Sequence, residues 1–465
     1  MSDKKTRKPW VGRFKADLDL TVQKYTRSLH LDRRLASYDI QGSRAHVRML
    51  AARGIISEQD EESILKGLHQ IEQEIESDDF PFREELEDIH MNIEYRLQEI
   101  IGEAGGRIHT GRSRNDQVAL DLKMFCLDTA MTWRSQILEL QGALLDRAQE
   151  LKRDLFPGWT HLQAAQPISW GHYLLAFCEM LERDDRRLAS YRQLHSCSPL
   201  GAGALAGSTL PLEPERTAQE LGFSSSFNNS YDVVGDRDFI LELLQIASQV
   251  MIHLSRFAED FIYLSSTPVS WIELPDFLCT GSSMMPQKKN PDLLELTRGK
   301  TASVLGHASA LASLLKGLPS SYHRDLQQDK EHLFTAVDTV EDTLNIVPLV
   351  VSNFKINKGR VDTALREGFL MATDLAEYLV NRGVPFREAH RRVGKLIAYC
   401  LEEELVLDQV PLEKLQEFAP ECGPEVSEVM KFESFLKRRS HKGSPGMIAI
   451  EERIAEWNKK IKDLA

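Results

Sequence analysis

The feature that most restricts the fold is a stretch without glycine or proline, from Asp236 to Thr267. Proline breaks the interior of a helix and glycine weakens it, so this composition is typical of one long α-helix. The apolar residues between Phe239 and Ile262 cover an arc wider than the stripe of a half-exposed helix. A helix of about 30 residues is about 45 Å long, more than one compact domain needs. We therefore expect a helix that is buried on most sides, in a long bundle shared between subunits.

Proline placement and helix-start signals predict the other helices in the same way. Long helices are predicted from Ser113–Asp116 towards Leu151, from Pro291 to about Leu318, and over Gln328–Ser352 with a kink near Pro348. Shorter helices are predicted at Asp39–Arg53, Ser57–Glu76 and Asp88–Ile101. No segment alternates convincingly between apolar and polar residues, as a half-buried strand would. The predicted fold class is mainly α: a long central helical bundle at 113–355 between smaller helical domains at 1–112 and 356–465.

Composition narrows the function and the compartment. The formal net charge of −13 argues against a nucleic-acid partner and against an anionic membrane surface. Six scattered cysteines without a CxxC pair fit reduced thiols and give no zinc framework. No apolar signal region follows the basic N-terminal residues, and no run is long enough to span a bilayer. We expect a cytoplasmic protein without a metal.

One segment imitates a cofactor site. Gly201–Ala206, with the sequence GAGALA, matches the dinucleotide fingerprint GxGxxA. That fingerprint requires a strand directly before it and a helix after it, whereas Pro199 lies two residues upstream. A flexible loop that offers backbone N–H donors is the better interpretation, and we expect no organic cofactor.

The segment Gly281–Pro291, GSSMMPQKKNP, combines a mobile start, two hydroxyls and a lysine pair. Asn290 followed by Pro291 is typical of a helix start, with Asn at the N-cap. Such a helix would direct free N–H groups and partial positive charge at the loop, next to Lys288 and Lys289. The segment therefore favours an anion held beside a hydroxyl. An ordinary exposed loop is the alternative, although two methionines suit it poorly.

Two further segments could carry chemistry. His109–Asp116, HTGRSRND, places two arginines, a serine and an amide at a predicted helix start, which suits carboxylates. A capped helix with solvated arginines explains the same residues, and the segment alone slightly favours that explanation. Thr160–Pro167 contains His161 in what we expect to be an ordered loop before a helix near Ser169. A lone histidine is more often structural than catalytic.

Together the three segments resemble a known family. HTGRSRNDQ, GWTHLQAAQP and GSSMMPQKKNP are similar to the three signature regions of the fumarase/aspartase superfamily, and their intervening residues resemble its argininosuccinate lyase branch, which includes the delta-crystallins. Further similar segments are Asn229–Phe239, Tyr322–Glu331 and Ala372–His390. The resemblance runs from about Trp10 to His390 and is weaker near the C-terminus.

The resemblance implies a reaction, which is the anti β-elimination of argininosuccinate to arginine and fumarate. Removing the proton beside a carboxylate creates an aci-carboxylate with two negative charges, so positive charge and N–H donors must surround it. Lys288, Asn290 and the helix after Pro291 would supply them. The family reaction requires no cofactor.

The resemblance also implies catalytic roles. Ser282 would be the general base, its alkoxide stabilised by Lys288 and loop amides. His161 would donate a proton to the leaving nitrogen, directly or through water, and Glu295 would hold its imidazole in the right tautomer. The opposite assignment, with His161 as the base, stays open at this point.

The resemblance further implies a binding set and an assembly. The substrate-binding residues would be Ser113, Arg114, Asn115 and Thr160 on the fumarate half, with Tyr322, Gln327 and Lys330 as further contacts and Ser28 and Asp32 as additional contributors. The family builds each site from three subunits of a homotetramer, so the expected partners are argininosuccinate and three further copies of the chain.

Three positions depart from the family pattern. Ala164 stands where the family usually has Lys or Arg, Trp159 replaces a usual Tyr, and Gln328 a usual Glu. None removes a residue with an assigned role. Other functions compatible with the sequence are a related fumarate-releasing lyase of the adenylosuccinate type, a non-catalytic crystallin-like homologue and a metabolite-sensing binder.

Overall fold

The structure is a computed structural model that describes residues 18–464. The first 17 residues, with the basic N-terminal segment and Trp10, where the resemblance begins, lie outside the described residues, as does residue 465.

The described chain is mainly α-helical, as the sequence predicts. Its α-helices are α1 (Leu20–Thr26), α2 (Leu29–Asp32), α3 (Ala36–Ala52), α4 (Glu58–Glu76), α5 (Ile89–Ile101), α6 (Arg114–Glu150), α7 (Trp170–His195), α8 (Pro214–Glu220), α9 (Ser230–Val233), α10 (Asp238–Ser265), α11 (Asp292–Leu315), α12 (Asp329–Asn353), α13 (Lys358–Glu367), α14 (Ala372–Asn381), α15 (Phe386–Glu402), α16 (Leu412–Phe418), α17 (Val426–Val429), α18 (Phe432–Arg438) and α19 (Met447–Leu464). Short strands pair two by two: β1 (Leu155–Thr160) with β2 (Gln163–Ser169), β3 (Cys197–Ser198) with β4 (Ser225–Ser226), β5 (Ile272–Glu273) with β8 (Lys355–Ile356), and β6 (Thr280–Gly281) with β7 (Lys289–Asn290).

The glycine- and proline-free stretch forms α10, whose apolar residues are almost entirely buried from Phe239 to Leu264. The shorter predicted helices begin where their caps predict. Ser57 forms a capping box with Asp60 at the start of α4, and the Asp88 side chain accepts the N–H of Met91 at the start of α5. These helices follow from local sequence alone.

The chain divides into two compact units, and both include segments of the five long helices α6, α7, α10, α11 and α12. The first unit covers residues up to 132, 186–248 and 303–339. It contains an apolar core formed by α3, α4, α5 and their connections, with Ile40, Leu50, Leu68 and Ile93 among its buried residues. The second unit covers 133–185, 249–302 and 340 onwards. The predicted division into 1–112, 113–355 and 356–465 stays a prediction.

The second unit contains its own core among the short C-terminal helices α14 to α18. Its buried side chains include Leu379, Leu396, Leu415 and Phe435. The shortened helices and returning glycines and prolines of this part of the sequence therefore form a packed helical region.

The segment after α6 differs from the predicted ordered loop, because β1 and β2 form an antiparallel hairpin. Thr160 pairs with Gln163, so His161 and Leu162 form a two-residue turn. The sequence hides this hairpin in two ways. Its strands contain proline and glycine, which central strands avoid, and its turn lacks the Asn-Gly or Asp-Gly pair typical of tight hairpins.

All six cysteines are unpaired thiols, as their scattered spacing predicts. Between residues 18 and 464, no helix has both the length and the apolar character that a membrane span needs.

Candidate active site

The predicted site residues fall into two sets, one in each unit. The first unit contains Ser28, Asp32, Ser113, Arg114, Asn115, Tyr322, Gln327 and Lys330, and the second contains Thr160, His161, Ser282, Lys288, Asn290 and Glu295. Each set is described separately.

The first set is built around a buried ion pair. Lys330 Nζ lies 2.9 Å from Asp32 Oδ1, and the two side chains are only 4% and 1% exposed. The Ser28 hydroxyl donates to the other oxygen of Asp32. Burial alone would lower the pKa of Lys330, but the carboxylates of Asp32 and Asp329 outweigh it and hold that pKa above its usual value. The ammonium is therefore a fixed positive charge.

Backbone contacts join this pair to the neighbouring segments. The amide Nε2 of Gln327 donates to the Thr26 carbonyl at 3.1 Å. The N–H of Ser28 donates to the Glu87 carbonyl at 2.9 Å. Tyr322 packs against the small apolar cluster that contains Val234. The structure thus brings Ser28, Asp32 and Lys330 into one contact network, and Gln327 contacts the nearby Thr26.

The start of α6 holds Ser113, Arg114 and Asn115. Arg114 Nε lies 3.1 Å from the Asp88 carboxylate, and its Nη1 donates to Gln117 at 2.7 Å. The side-chain amide of Asn115 donates to the Ala204 carbonyl at 3.1 Å. Asp88 directly follows Glu87, which accepts the Ser28 N–H, so this helix start is linked through residues 87–88 to the segment that contains Ser28.

Asp116 ties the helix start to the GAGALA segment. One oxygen of its carboxylate accepts the N–H of Gly201 at 3.1 Å and of Gly203 at 2.8 Å, and the other accepts the Ser113 N–H at 2.9 Å. The segment is therefore a backbone-donor loop, as predicted, and two of its donors bind a carboxylate of the chain itself. Burial raises the pKa of Asp116 to about 6, against these hydrogen bonds, which favour the ionised form.

The two arginines of the HTGRSRND segment have different surroundings. Arg112 is buried and donates to the Ser43 hydroxyl at 3.0 Å, whereas Arg114 is partly exposed. The prediction singled out Arg114 and not Arg112, and this environment supports that choice. The buried polar residues behind Arg112 were missed. His90 Nδ1 lies 3.0 Å from Asp39 there, and no local sequence signal joins those two residues.

In the second unit, His161 stands at the tip of the β1–β2 hairpin. His161 and Leu162 both have φ of +56°, and both are exposed. Non-glycine residues rarely adopt left-handed backbone, which costs about 1–2 kcal/mol per residue. Thr160, the last residue of β1, is exposed beside them.

An aromatic cluster anchors the base of this hairpin. Phe156 stacks on Trp170 with ring centroids 4.0 Å apart, and Trp159 lies 5.8 Å from Trp271 and 5.6 Å from Tyr263. Aromatic pairs of this kind add stability beyond the area they bury. The hairpin therefore has a fixed base below an exposed tip.

The GSSMMPQKKNP segment is also a hairpin, closed by β6 and β7, with Thr280 opposite Asn290. The loop begins at Ser282, whose Oγ accepts the N–H groups of Met284 at 3.3 Å and Met285 at 3.1 Å. N–H donors on a hydroxyl oxygen are the groups that stabilise an alkoxide. Ser283 receives no such bonds within residues 18–464, so the structure distinguishes the two serines.

The two lysines of the loop also differ. Lys289 Nζ is 2.8 Å from Asp276 and 3.2 Å from Glu273, while Lys288 is exposed and forms no ion pair with any described residue. Lys288 therefore has a charge free for a ligand. It was the lysine predicted for that role.

The predicted helix start needs a small correction. Asn290 ends β7 and is not the N-cap, and α11 begins at Asp292, with the Pro291 carbonyl accepting the N–H groups of Leu294 and Glu295. The strand pairing of Asn290, which sequence did not reveal, shifts the boundary by one residue. Glu295 is exposed in the first turn of α11.

His161 makes no hydrogen bond or ion pair with Ser282, Lys288 or Glu295 in the described chain. Of the three departures, Ala164 is exposed opposite Trp159 in the hairpin, and Gln328 is exposed before α12. Trp159 belongs to the aromatic cluster. None of the three lies in the Asp32–Lys330 network.

Comparison with known proteins shows which proteins the chain is similar to. A family model described as "Lyase" matches residues 12–306, and one described as "Argininosuccinate lyase C-terminal" matches residues 369–437. An argininosuccinate lyase of Halorhodospira halophila is 48% identical over 434 residues, which cover 93% of each chain. A solved EDDS lyase in complex with formate has a TM-score of 0.83 at 26% identity and covers 95% of this chain and 88% of its own. A class II fumarase from Schistosoma mansoni shares the fold, with a TM-score of 0.74 at 18% identity over 92% and 94% of the chains.

The helical-bundle lyases of the fumarase/aspartase superfamily are therefore the class that the fold and the signature segments define. The 48% identity to an argininosuccinate lyase over nearly the whole length identifies the family within this superfamily. The chain belongs to the argininosuccinate lyase family.

Proposed function

We propose that the protein cleaves argininosuccinate to arginine and fumarate by reversible anti β-elimination, as a carbon–nitrogen lyase of arginine biosynthesis in the cytoplasm. The observation that carries the proposal is the 48% identity to an argininosuccinate lyase over 93% of both chains. The match of residues 369–437 to the family's C-terminal model extends the support beyond the general lyase segment.

Ser282 removes the proton from the carbon beside a carboxylate of the succinyl part. Its oxygen already accepts two backbone N–H groups, which favours the alkoxide that a serine base requires. The free charge of Lys288 and the first N–H groups of α11 stabilise the two negative charges of the aci-carboxylate. Asn290, at the end of β7, adds an amide donor on the same loop.

His161 protonates the departing guanidinium nitrogen as the carbon–nitrogen bond breaks. Its exposed position at the tip of a firmly anchored hairpin suits a group that must reach a substrate. Glu295 orients the imidazole, and this contact comes from another copy of the chain in the assembly. His161→Asn should then lower kcat severely and leave the fold intact.

The first unit provides the binding groups. Ser113, Arg114, Asn115 and Thr160 bind the carboxylates of the fumarate half, while Tyr322, Gln327, Lys330, Ser28 and Asp32 complete the substrate contacts. Thr160 comes from the second unit. The support for these roles is the network of buried charge around Asp32 and Lys330, which fixes polar groups before substrate arrives.

The active form is a homotetramer whose sites combine residues of several copies. Large apolar side chains on the long helices support it, since Leu296 and Leu305 on α11 are 59% and 42% exposed, and Leu349 on α12 is 49% exposed. A light-scattering mass of four chains is the expected result. A monomer that retains full activity would refute shared sites.

Incubation of the purified protein with argininosuccinate, followed by the ultraviolet absorbance of fumarate, tests the reaction. The same assay with adenylosuccinate separates the related lyase, and Ser282→Ala purified in parallel excludes a contaminating enzyme. Fumarate from argininosuccinate alone is expected. Tight argininosuccinate binding without fumarate would show a binder, and neither binding nor fumarate would show a structural homologue.

A further inference from the structure

The turn at the tip of the β1–β2 hairpin contains a residue that does not suit its backbone conformation. Leu162 has φ of +56°, and its side chain is 62% exposed. Glycine and asparagine adopt left-handed backbone readily, and histidine is enriched there, but a bulky apolar residue is an outlier. Stability alone would not select leucine at this position.

The strands on both sides of the turn are fixed. Thr160 pairs with Gln163 and Trp159 with Ala164, and the ring of Trp159 packs among Trp271, Tyr263 and Phe156. With the base held, the direction of the Cα–Cβ bond of His161 depends on the backbone angles of the two turn residues. Leu162 is one of those two.

We propose that Leu162 is a positioning residue for His161, a role that rests on the proposed function. The left-handed region open to leucine is narrow, because its Cβ approaches the neighbouring carbonyl oxygens. Glycine at the same position can move over a much wider range. Leucine therefore confines the turn to one conformation and aims the His161 imidazole at the departing nitrogen, at the expense of stability. Strained backbone at a functional turn is a known form of such pre-organisation.

Leu162→Gly tests this proposal. We expect kcat to fall about tenfold with KM little changed, because a small misplacement of an acid group affects the reaction step most. We also expect Tm to rise by about 1 °C, since the strain is relieved. An increase in stability together with a loss of turnover separates positioning from a merely structural role, which predicts no loss of turnover when strain is removed.

Glu404→Gly is the matched control. Glu404 is another exposed residue with left-handed backbone, φ +54°, just after α15 and outside the proposed site. This variant should gain similar stability and keep the wild-type kcat. A loss of turnover in both variants would refute a role specific to Leu162.

Leu162→Asn distinguishes the backbone from the side chain. Asparagine tolerates the left-handed region while remaining more restricted than glycine, so most of the lost kcat should return, with the pH profile of kcat restored to the wild-type form. If Leu162→Asn is as impaired as Leu162→Gly, the apolar side chain itself is responsible and the proposal is wrong. Wild-type kcat in Leu162→Gly would also overturn it.

These outcomes are separate from a failure of the proposed function. If the wild-type protein releases no fumarate from argininosuccinate, the proposed function fails, and the role of Leu162 in positioning falls with it. If the wild type is active and Leu162→Gly is equally active, only the positioning role fails.

Discussion

The two sets of site residues differ in how firmly the protein holds them. In the first unit, Asp32 and Lys330 form a buried pair, and Arg114 is fixed by Asp88 and Gln117. In the second unit, the side chains of His161 and Lys288 are exposed and make no hydrogen bond or ion pair with any described residue. The charged groups of the first set are bound into the fold, whereas these two side chains of the second set lie in hairpin loops.

This difference in burial and pairing indicates which functional groups depend on contacts that the folded chain already provides. A buried charge pair is costly to desolvate, and its worth lies in holding a group where a ligand charge needs a fixed partner. The groups proposed to move protons instead occupy turns, where the proposed assembly would have the substrate and other copies of the chain complete their contacts. Variants in the second unit should therefore reduce turnover, and variants in the first should reduce stability or binding.

The largest effect is expected at Ser282. Ser282→Ala should lower kcat about 10⁴-fold, the upper range for a general base, with Tm unchanged because this partly exposed hydroxyl supports only its own loop. Fumarate release and thermal unfolding measure the two quantities. Ser283→Ala, one residue away and without the two N–H bonds, should stay close to wild type. Near-normal turnover in Ser282→Ala would show that the base is elsewhere.

The next largest effect is on stability in the first unit. Lys330→Met should lower the free energy of unfolding by about 3–5 kcal/mol, because it leaves the Asp32 carboxylate buried without its cation. Urea unfolding measures the loss. The double variant with Asp32→Asn should recover most of it, since no unpaired charge then remains. An unchanged urea midpoint for Lys330→Met would contradict a firmly held first set.

Asp116→Asn should lower the free energy of unfolding by about 1–3 kcal/mol. The NH₂ of the new amide then faces backbone N–H groups, whose hydrogen bonds the carboxylate accepted. KM should rise more than kcat falls, since the change loosens the helix start that carries Arg114 and Asn115. Glu139→Gln, an exposed change on the same helix, is the control. Equal KM values for both variants would show that the contact of Asp116 with the loop does not affect substrate binding.

The smallest effect at neutral pH concerns His46. Burial and the nearby Arg112 lower the pKa of His46 to about 3, although its hydrogen bond to the Thr110 carbonyl acts the other way. Between pH 6.5 and about 3, His46 is therefore protonated in the unfolded chain and neutral in the folded chain. This contribution to stability is complete above pH 6.5 and falls by about 1.4 kcal/mol per pH unit from there towards pH 3.

His46→Gln keeps a donor for Thr110 but does not titrate, so its stability should fall less steeply than that of the wild type between pH 6.5 and 4. Urea midpoints at several pH values measure the slopes. His441→Gln, at an exposed position, should retain the wild-type slope. Parallel slopes for wild type and His46→Gln would contradict a neutral buried His46.

Sequence predicted the helices because helices depend on neighbours in the chain. The interval from Asp236 to Thr267 and the caps at Ser57 and Asp88 contain their own signals, and the structure ends those helices within a few residues of the predictions. Both hairpins were missed, because their pairing depends on residues outside the turn and His161–Leu162 is an unusual turn sequence.

Sequence predicted only part of the candidate site, because contacts between distant residues leave no local signal. Resemblance gave Asp32 and Lys330 as members of the binding set, but residues 298 positions apart carry no local sign that they pair. Sequence indicates Asp116 only as part of a helix start, and its hydrogen bonds to Gly201 and Gly203 become visible only in the fold. Choices between adjacent residues, Ser282 over Ser283 and Lys288 over Lys289, came from resemblance, and the hydrogen bonds and ion pairs of the loop now support them.

The two N–H bonds to Ser282 also decide where its proton goes. Because the N–H groups of Met284 and Met285 approach the oxygen from the loop backbone, a hydrogen on that oxygen is expected to turn away from them. If Ser282 is the base, as proposed, it must first lose that hydrogen to a solvent water, and the proton that it then takes from the substrate would leave to water in the same way. In that role the loop would give protons a way out as well as hold negative charge.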